Sequence, residues 1–123
     1  MVTLSYICIA DFYWMNIYNK STLNSFAKKY ADAKKELELW YNDVSASHWT
    51  KPGDVTKAYR DASAVKNNRI VFNIRVNRYR LIVEFNYNKG RGFIVFIGTH
   101  AEYDRIDATT VNQFISKRNR TKH

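Results

Sequence analysis

The stretch Arg69-Ile70-Val71-Phe72-Asn73-Ile74-Arg75-Val76-Asn77-Arg78-Tyr79-Arg80-Leu81-Ile82-Val83-Glu84-Phe85-Asn86-Tyr87 decides the fold. Its side chains alternate in character at every second position, the period of a β-strand and not the 3.6 of a helix. Ile70, Phe72, Ile74 and Val76 fall on one face, with Arg69, Val71, Asn73 and Arg75 on the other. Asn77-Arg78 sits where a two-residue hairpin turn belongs, although arginine is not an ideal turn residue. A second strand then places Tyr79, Leu81, Val83, Phe85 and Tyr87 opposite Arg80, Ile82, Glu84 and Asn86. Asn88-Lys89-Gly90-Arg91-Gly92 marks another turn by its glycines, and residues 93–98 are apolar enough for the centre of a sheet. The prediction is a three-stranded antiparallel meander.

Upstream the period lengthens. Ser21 or Thr22 is placed to cap a helix that includes Ala27 and reaches Tyr30. Residues 31–47 read as a longer helix, because Ala33, Leu37, Trp40 and Val44 line up one apolar stripe. Lys51-Pro52-Gly53-Asp54 interrupts it, and Asp54 is placed to cap a short helix over residues 55–59. Residues 62–68 read as a loop. Downstream, Asp107 is placed to cap a last helix over residues 108–117, with Val111, Phe114 and Ile115 turned inward. The order of elements predicts an α+β domain, with N-terminal helices packed on one face of a small antiparallel sheet, a C-terminal helix and a basic tail.

The 123 residues make one domain and not two. Hydrophobic residues reach 46% and aromatics 15%, so a packed core forms and disorder of most of the chain is excluded. A single cysteine excludes an intrachain disulfide and a cysteine-based zinc site, and three scattered histidines do not suggest a metal. Residues 1–14 read in two ways: as an extension ahead of a domain that starts at Met15, or as an extra packed element using Leu4, Tyr6, Ile7 and Phe12. The apolar run near the start is far shorter than the ~20 residues of a membrane span, and Met1-Val2-Thr3 lacks the positive charge of a secretory signal. A cytoplasmic protein without membrane association is expected.

Twenty Lys and Arg against eleven Asp and Glu leave a net charge of +9. A basic surface attracts nucleic acid through counterion release. Lys117, Arg118, Arg120 and Lys122 of the tail supply four of these charges, so the body stays basic at +5. The sheet face carrying Arg69, Asn73, Arg75, Arg80 and Asn86 is both polar and basic. It reads either as a binding face or as the ordinary solvated face of an antiparallel sheet.

Asn68-Arg69-Ile70-Val71-Phe72-Asn73-Ile74, Asn77-Arg78-Tyr79-Arg80-Leu81-Ile82 and Gly98-Thr99-His100-Ala101-Glu102-Tyr103-Asp104 together resemble the HigB toxin family, within the RelE-like toxins of bacterial toxin–antitoxin systems. Leu39-Trp40-Tyr41 and Trp49-Thr50-Lys51-Pro52 extend the resemblance, which spans roughly residues 15–107. It leaves out residues 1–14 and the tail at 119–123, with residues 15–118 as the RelE-like domain. The resemblance implies a toxin that cleaves mRNA without a metal or other cofactor, at the ribosomal A site. It also implies a HigA-type helix-turn-helix antitoxin as partner, with operator DNA bound only through the toxin–antitoxin complex.

Metal-free RNA cleavage needs a base for the ribose 2′-OH, an acid for the leaving 5′-oxygen, and cations for the phosphorane-like transition state. His100, just past a strand end, is the candidate for proton transfer, since imidazole serves as acid or base. Arg80 is the candidate phosphate fork, with Tyr103 close by and Arg69 as a second cation. Lys51, Arg75 and Asn73 are candidate RNA contacts around the same cleft. Glu102 and Asp104 read as a cap or as a partner for Arg105, because carboxylates repel a phosphodiester. The alternative is a non-catalytic basic module that binds RNA or the ribosome, and a third possibility is a face that docks an acidic polypeptide.

Overall fold

A computed structural model of the chain describes residues 14–114. The alternating residues form β3 (Arg69–Ile74) and β4 (Tyr79–Asn86), and the following apolar run forms β5 (Arg91–Thr99). Two short strands complete the sheet, β1 (Asn16–Tyr18) and β2 (Ser63–Val65). The spatial order is β1-β5-β4-β3-β2. β1 runs parallel to β5 and every other pairing is antiparallel. The sheet is therefore mixed, not the purely antiparallel meander expected. The central strand is β4, while β5 is flanked by β1.

The helices are α1 (Ser21–Lys29), α2 (Lys34–Ser45), α3 (Pro52–Ala58) and α4 (His100–Tyr103), with a 3₁₀ turn at Ala31–Ala33. The predicted stripe is correct: Ala33, Leu37, Trp40 and Val44 are all buried. They pack against Phe72, Leu81, Val83 and Phe85 on one face of the sheet. The fold is α+β, as expected. Within the described residues no helix is long and apolar enough to cross a membrane.

Local details differ from the sequence reading for physical reasons. Neither Ser21 nor Thr22 caps α1; the Thr22 hydroxyl donates instead to the Asn19 carbonyl. Residues 31–47 are not one helix, because Ala31–Ala33 tightens into a 3₁₀ turn first. α3 begins earlier than predicted, since Pro52 occupies its first turn. Asp54 lies inside that turn and accepts from the Thr50 amide and hydroxyl. Part of the 62–68 loop is the edge strand β2, which pairs with β3.

The β3–β4 turn also differs. Ile74 pairs with Tyr79, so the loop holds residues 75–78 and is not a two-residue turn. Arg75 and Val76 take left-handed backbone conformations, with φ of 54° and 60°. Val76 leaves the strand and is 85% exposed, not inward. A left-handed β-branched residue costs about 1–2 kcal/mol. Asp32, in the 3₁₀ turn, anchors the loop. Its carboxylate accepts from Arg78 Nη1 at 2.7 Å and from the Tyr79 hydroxyl at 2.6 Å, and Arg75 Nε stands 3.9 Å away.

The second face of the sheet is the main correction. It is not an open polar surface. Val71, Ile82, Val95 and Phe96 are buried there under Tyr103, Ile106, Ala108 and Val111. The irregularity in the β4–β5 register at Ile82/Val83 helps, since it allows Val95 and Phe96 to share this cluster. Residues 108–112 are turns and irregular chain, not the start of the predicted helix. Asp107 still organises the turn by accepting from the Thr109 amide and hydroxyl. The remainder of that helix, the tail and the reading of residues 1–13 lie outside the described residues.

Arg69 holds this covering segment in place. Its side chain is only 6% exposed. Nε reaches Glu84 at 3.0 Å, and Nη1 donates to the carbonyls of Ala108 and Val111 at 3.0 and 2.6 Å. Arg69→Ala should cost about 3 kcal/mol, because charged hydrogen bonds are lost and two carbonyls lose their donor. Urea unfolding checks this; a loss well below ~1 kcal/mol contradicts it.

Asp32 gives a second prediction. The Tyr79 hydroxyl foremost, with the Arg78 and Arg75 guanidinium groups, holds its carboxyl below the usual range against the opposing effect of desolvation. A lowered folded-state value means that the contribution is complete above the unfolded value of ~3.9 and is lost as pH falls through the folded one. NMR of the 75–78 loop should therefore change as the pH drops below about 4. In Asp32→Asn the loop should already be loosened and should show no such transition.

Candidate functional site at the hairpin end of the sheet

Asn73, Arg80 and Gly98 face one another in register across β3, β4 and β5. This row lies at the end of the sheet where β4 begins and β5 finishes. Arg80 is 9% exposed. Its Nη2 donates to Asn77 Oδ1 at 2.6 Å and its Nη1 to the Asn77 and Tyr79 carbonyls at 3.2 and 3.4 Å. All of these acceptors are neutral. Among the described residues no carboxylate pairs with Arg80, and its Nε makes no hydrogen bond. The Tyr103 ring covers the guanidinium, with Cζ 5.4 Å from the ring centroid.

The backbone builds this corner. β5 runs straight into α4, whose N-cap is Thr99. The Thr99 hydroxyl accepts from the Glu102 amide, and the Glu102 carboxylate accepts from the Thr99 amide, a complete capping box. Gly98 is needed beneath it: a Cβ there would stand 2.8 Å from both Glu102 Oε1 and Phe96 Cζ. The His100 amide donates to the Arg78 carbonyl at 2.9 Å, tying α4 to the β3–β4 loop.

His100 is the first residue of α4 and its side chain is 45% exposed. Nδ1 lies 3.3 Å from Asp104 Oδ2. A carboxylate beside Nδ1 favours a proton on that nitrogen and leaves Nε2 for a substrate. The spacing of three residues puts His100 and Tyr103 on the same side of α4. The corner thus offers an imidazole, a phenol and a guanidinium. Asp104 serves His100, not Arg105. Glu102 serves as the expected cap.

The other candidates lie elsewhere. Arg69 is buried and engaged by Glu84, Ala108 and Val111, so it is not a free cation on the face. Arg75 belongs to the β3–β4 loop, turned toward Asp32. Asn73 is across from Arg80, but its amide nitrogen donates to the Asp61 carbonyl at 3.1 Å. Lys51 is the N-cap of α3. The chain beside it packs at the other end of β4, where Thr50 lines a cleft with Phe85, Asn86 and Tyr87. From Arg80 to Phe85 the strand extends roughly 17 Å, so Lys51 does not join the corner.

Asn77 and Asp32 are site-building residues that the sequence reading missed, and Asp104, read there as a cap or a partner for Arg105, stands against His100 instead. The His100–Asp104 spacing is a helical i,i+4 pair, and Thr99-Ala101-Glu102 carries the capping-box signature around His100; both signals were available in the sequence. The Asp32 contact spans 46 or more positions and leaves no local signal. Among the described residues no group of three or more His, Cys, Asp or Glu gathers to hold a metal ion.

Residues 33–106 match the model of a family described as HigB_toxin, RelE-like toxic component of a toxin–antitoxin system. The chain is 27% identical over 94 residues to the mRNA interferase HigB of Escherichia coli O6:H1, covering 75% of this chain and 91% of that relative. It is 25% identical over 92 residues to the mRNA interferase toxin HigB of Escherichia coli K12, covering 73% and 88%. The mRNA interferase HigB of Shigella flexneri is similar to the same extent. The match takes in α2, the whole β3–β5 meander and α4 with its corner. The chain belongs to the HigB family of RelE-like toxins of toxin–antitoxin systems.

Proposed function

We propose that this toxin is a metal-free endoribonuclease that cuts mRNA held on the ribosome, using the corner formed by His100, Arg80 and Tyr103. The relatives named as mRNA interferases support the substrate class. The observation that carries the reading is the Arg80 guanidinium, bonded among the described residues only to neutral acceptors, with Tyr103 over it and the His100 helix alongside. A buried cation without a carboxylate partner is poised to gain an anion.

In this mechanism the ribose 2′-OH attacks the adjacent phosphorus. The 2′-oxygen gives up its proton, the bond to the 5′-oxygen breaks, and that oxygen takes up a proton. The products are a 2′,3′-cyclic phosphate and a 5′-hydroxyl. His100 Nε2 carries one of the two proton transfers, with Asp104 as the positioning residue on Nδ1. Arg80 binds the non-bridging oxygens, whose charge grows in the transition state. Tyr103 fixes the guanidinium and offers its ring or hydroxyl to the nucleotide. Asn73 flanks Arg80 in register, while Arg69, Arg75 and Lys51 have structural or remote places in this scheme. One imidazole and one covered guanidinium hold little of the RNA, which is why a ribosome that presents the mRNA preorganised suits this site. A cognate antitoxin, HigA-like and helix-turn-helix in type, is the neutralising partner in the same proposal, and operator DNA is reached through that complex in the cytoplasm.

His100→Ala should lower mRNA cleavage about 10²–10⁴-fold while leaving RNA affinity nearly unchanged. Arg80→Ala should lower both. Mapping of mRNA 5′ ends after induction, with RNA binding measured on purified protein, checks the pair. Equal loss of binding and cleavage in His100→Ala would make His100 a contact residue and favour the non-catalytic RNA-binding module.

A further inference from the structure

The second face of the sheet is covered only in part. Tyr18, Phe93, Glu84 and Arg69 lie in register across β1, β5, β4 and β3. Asn16, Arg91 and Asn86 form the next row, toward the β4–β5 turn, and all three are exposed. Phe93 packs at the margin of the cluster that Ile106 and Val111 cover. Tyr18 is 36% exposed, and its ring stands against Phe93 with centroids 4.7 Å apart. Phe93 also lines a cleft of about 390 Å3, together with Asn68, Asn86, Asn88 and Tyr87. Asn86 Oδ1 accepts from the Lys89 amide at 3.2 Å. Among the described residues the Asn88 side chain has no hydrogen-bond partner, and neither does the buried Tyr87 hydroxyl. A buried polar group without a partner marks a place where a ligand can supply one.

We propose that this end of the sheet is a second RNA-contact site, remote from the His100 corner. A nucleobase stacks on Phe93 beside Tyr18, and its edge meets the side-chain amides of Asn86 and Asn88 in the cleft. Lys89 and Arg91 hold the flanking phosphates. Taking this RNA to be the mRNA under cleavage rests on the function proposed above; the chemistry of the platform does not. An amide presents a donor and an acceptor side by side, which matches the edge of a base. Aromatic rings on a sheet supply the stacking surface that single-stranded RNA uses. Lys89 and Arg91 are exposed and have no carboxylate partner among the described residues. The one carboxylate lining the cleft, Glu84, is held by Arg69 at 3.0 Å. The local charge therefore favours an anionic chain.

The platform shares its face of the sheet with Arg80 and Tyr103. From Gly98, in register with Arg80, to Phe93 the strand β5 runs roughly 17 Å, the length of about five stacked nucleotides. One RNA strand can thus reach both places, and the platform adds grip that the small corner lacks. A polypeptide is the competing occupant and suits the cleft less well. An apolar peptide would strand the asparagine amides, and an acidic one would leave the ring of Phe93 without a stacking partner.

Fluorescence anisotropy with the full chain tests this. The probe is a labelled RNA of about 12 nucleotides, 2′-O-methylated so that it resists cutting. The control is a ribose–phosphate chain of the same length without bases. Phe93→Leu keeps apolar packing and removes the ring, while Tyr18→Ser alters an exposed side chain. Each should weaken the base-bearing RNA at least about fivefold, the weight of one stacked base. Each should leave the weaker binding of the abasic chain as in wild type. Arg91→Glu should weaken both probes and lower the salt dependence. Lys35→Glu, the same charge reversal on exposed α2, should weaken neither probe by more than about twofold. The proposal is overturned if Phe93→Leu and Tyr18→Ser bind base-bearing RNA as wild type does, if they lose both probes alike, or if no form binds RNA. Cleavage of ribosome-bound mRNA, measured alongside, separates the two readings. RNA binding that depends on Phe93 without any cleavage refutes the nuclease alone; cleavage without that dependence refutes the platform alone.

Discussion

Strand β4 buries apolar side chains on both of its faces, and the position of every candidate functional group follows from that. Leu81, Val83 and Phe85 point to one side and Ile82 to the other, all of them buried. Each such side chain gains about 1.5–3 kcal/mol when removed from water, so neither face of the sheet can remain open. The helices cover the first face. The chain after α4 covers the second, held down by Arg69 across Glu84. Polar chemistry is displaced to the ends of the sheet. At one end the β3–β4 loop and α4 meet, and the first outward residue of β4, Arg80, lies beneath them.

Electrostatic sorting at that end keeps the corner usable. Asp32 stands on the helix side and engages Arg78, Tyr79 and, more loosely, Arg75. Glu102 is consumed by the cap of α4, and Asp104 by His100. Each nearby carboxylate thus has another partner, and Arg80 is left with neutral acceptors. A guanidinium in this setting gives a phosphodiester a strong, desolvated interaction that water does not supply. The arrangement is rigid where it needs to be: a capping box, a glycine under it and a backbone hydrogen bond from His100 to Arg78 set the imidazole on its short helix.

Much of this was legible in the residues. The period-two run yields β3 and β4 with the correct faces, the glycine turn and the apolar run after it yield β5, and the spacing of Ala33, Leu37, Trp40 and Val44 yields the buried stripe of α2. Arg80 and Tyr103 lie side by side near the strand end where the reading of the residues sets both. Parity misled at Arg69, because it tells which side of a strand a residue takes and not what later covers that side. Val76 and the Asn77-Arg78 turn misled because left-handed Arg75 and Val76 carry no sequence signature of the glycine or asparagine kind. β1 and β2 are each three residues long, too short for a period to emerge, and β1 joins the sheet only by pairing with a strand more than seventy positions away. Lys51 was grouped with the corner as a cation in the loop after the helices, and distance along β4 separates them.

The chemistry of the cut ends tests the central claim most directly. In the mechanism we propose, the imidazole and the guanidinium activate the ribose hydroxyl and no external nucleophile is used. End-group analysis of ribosome-bound mRNA cleaved by the purified toxin should find a 2′,3′-cyclic phosphate on each upstream fragment and a 5′-hydroxyl on each downstream one. A 5′-phosphate on the downstream fragments would mean attack by water on the other side of the phosphorus, and would contradict this account of the corner.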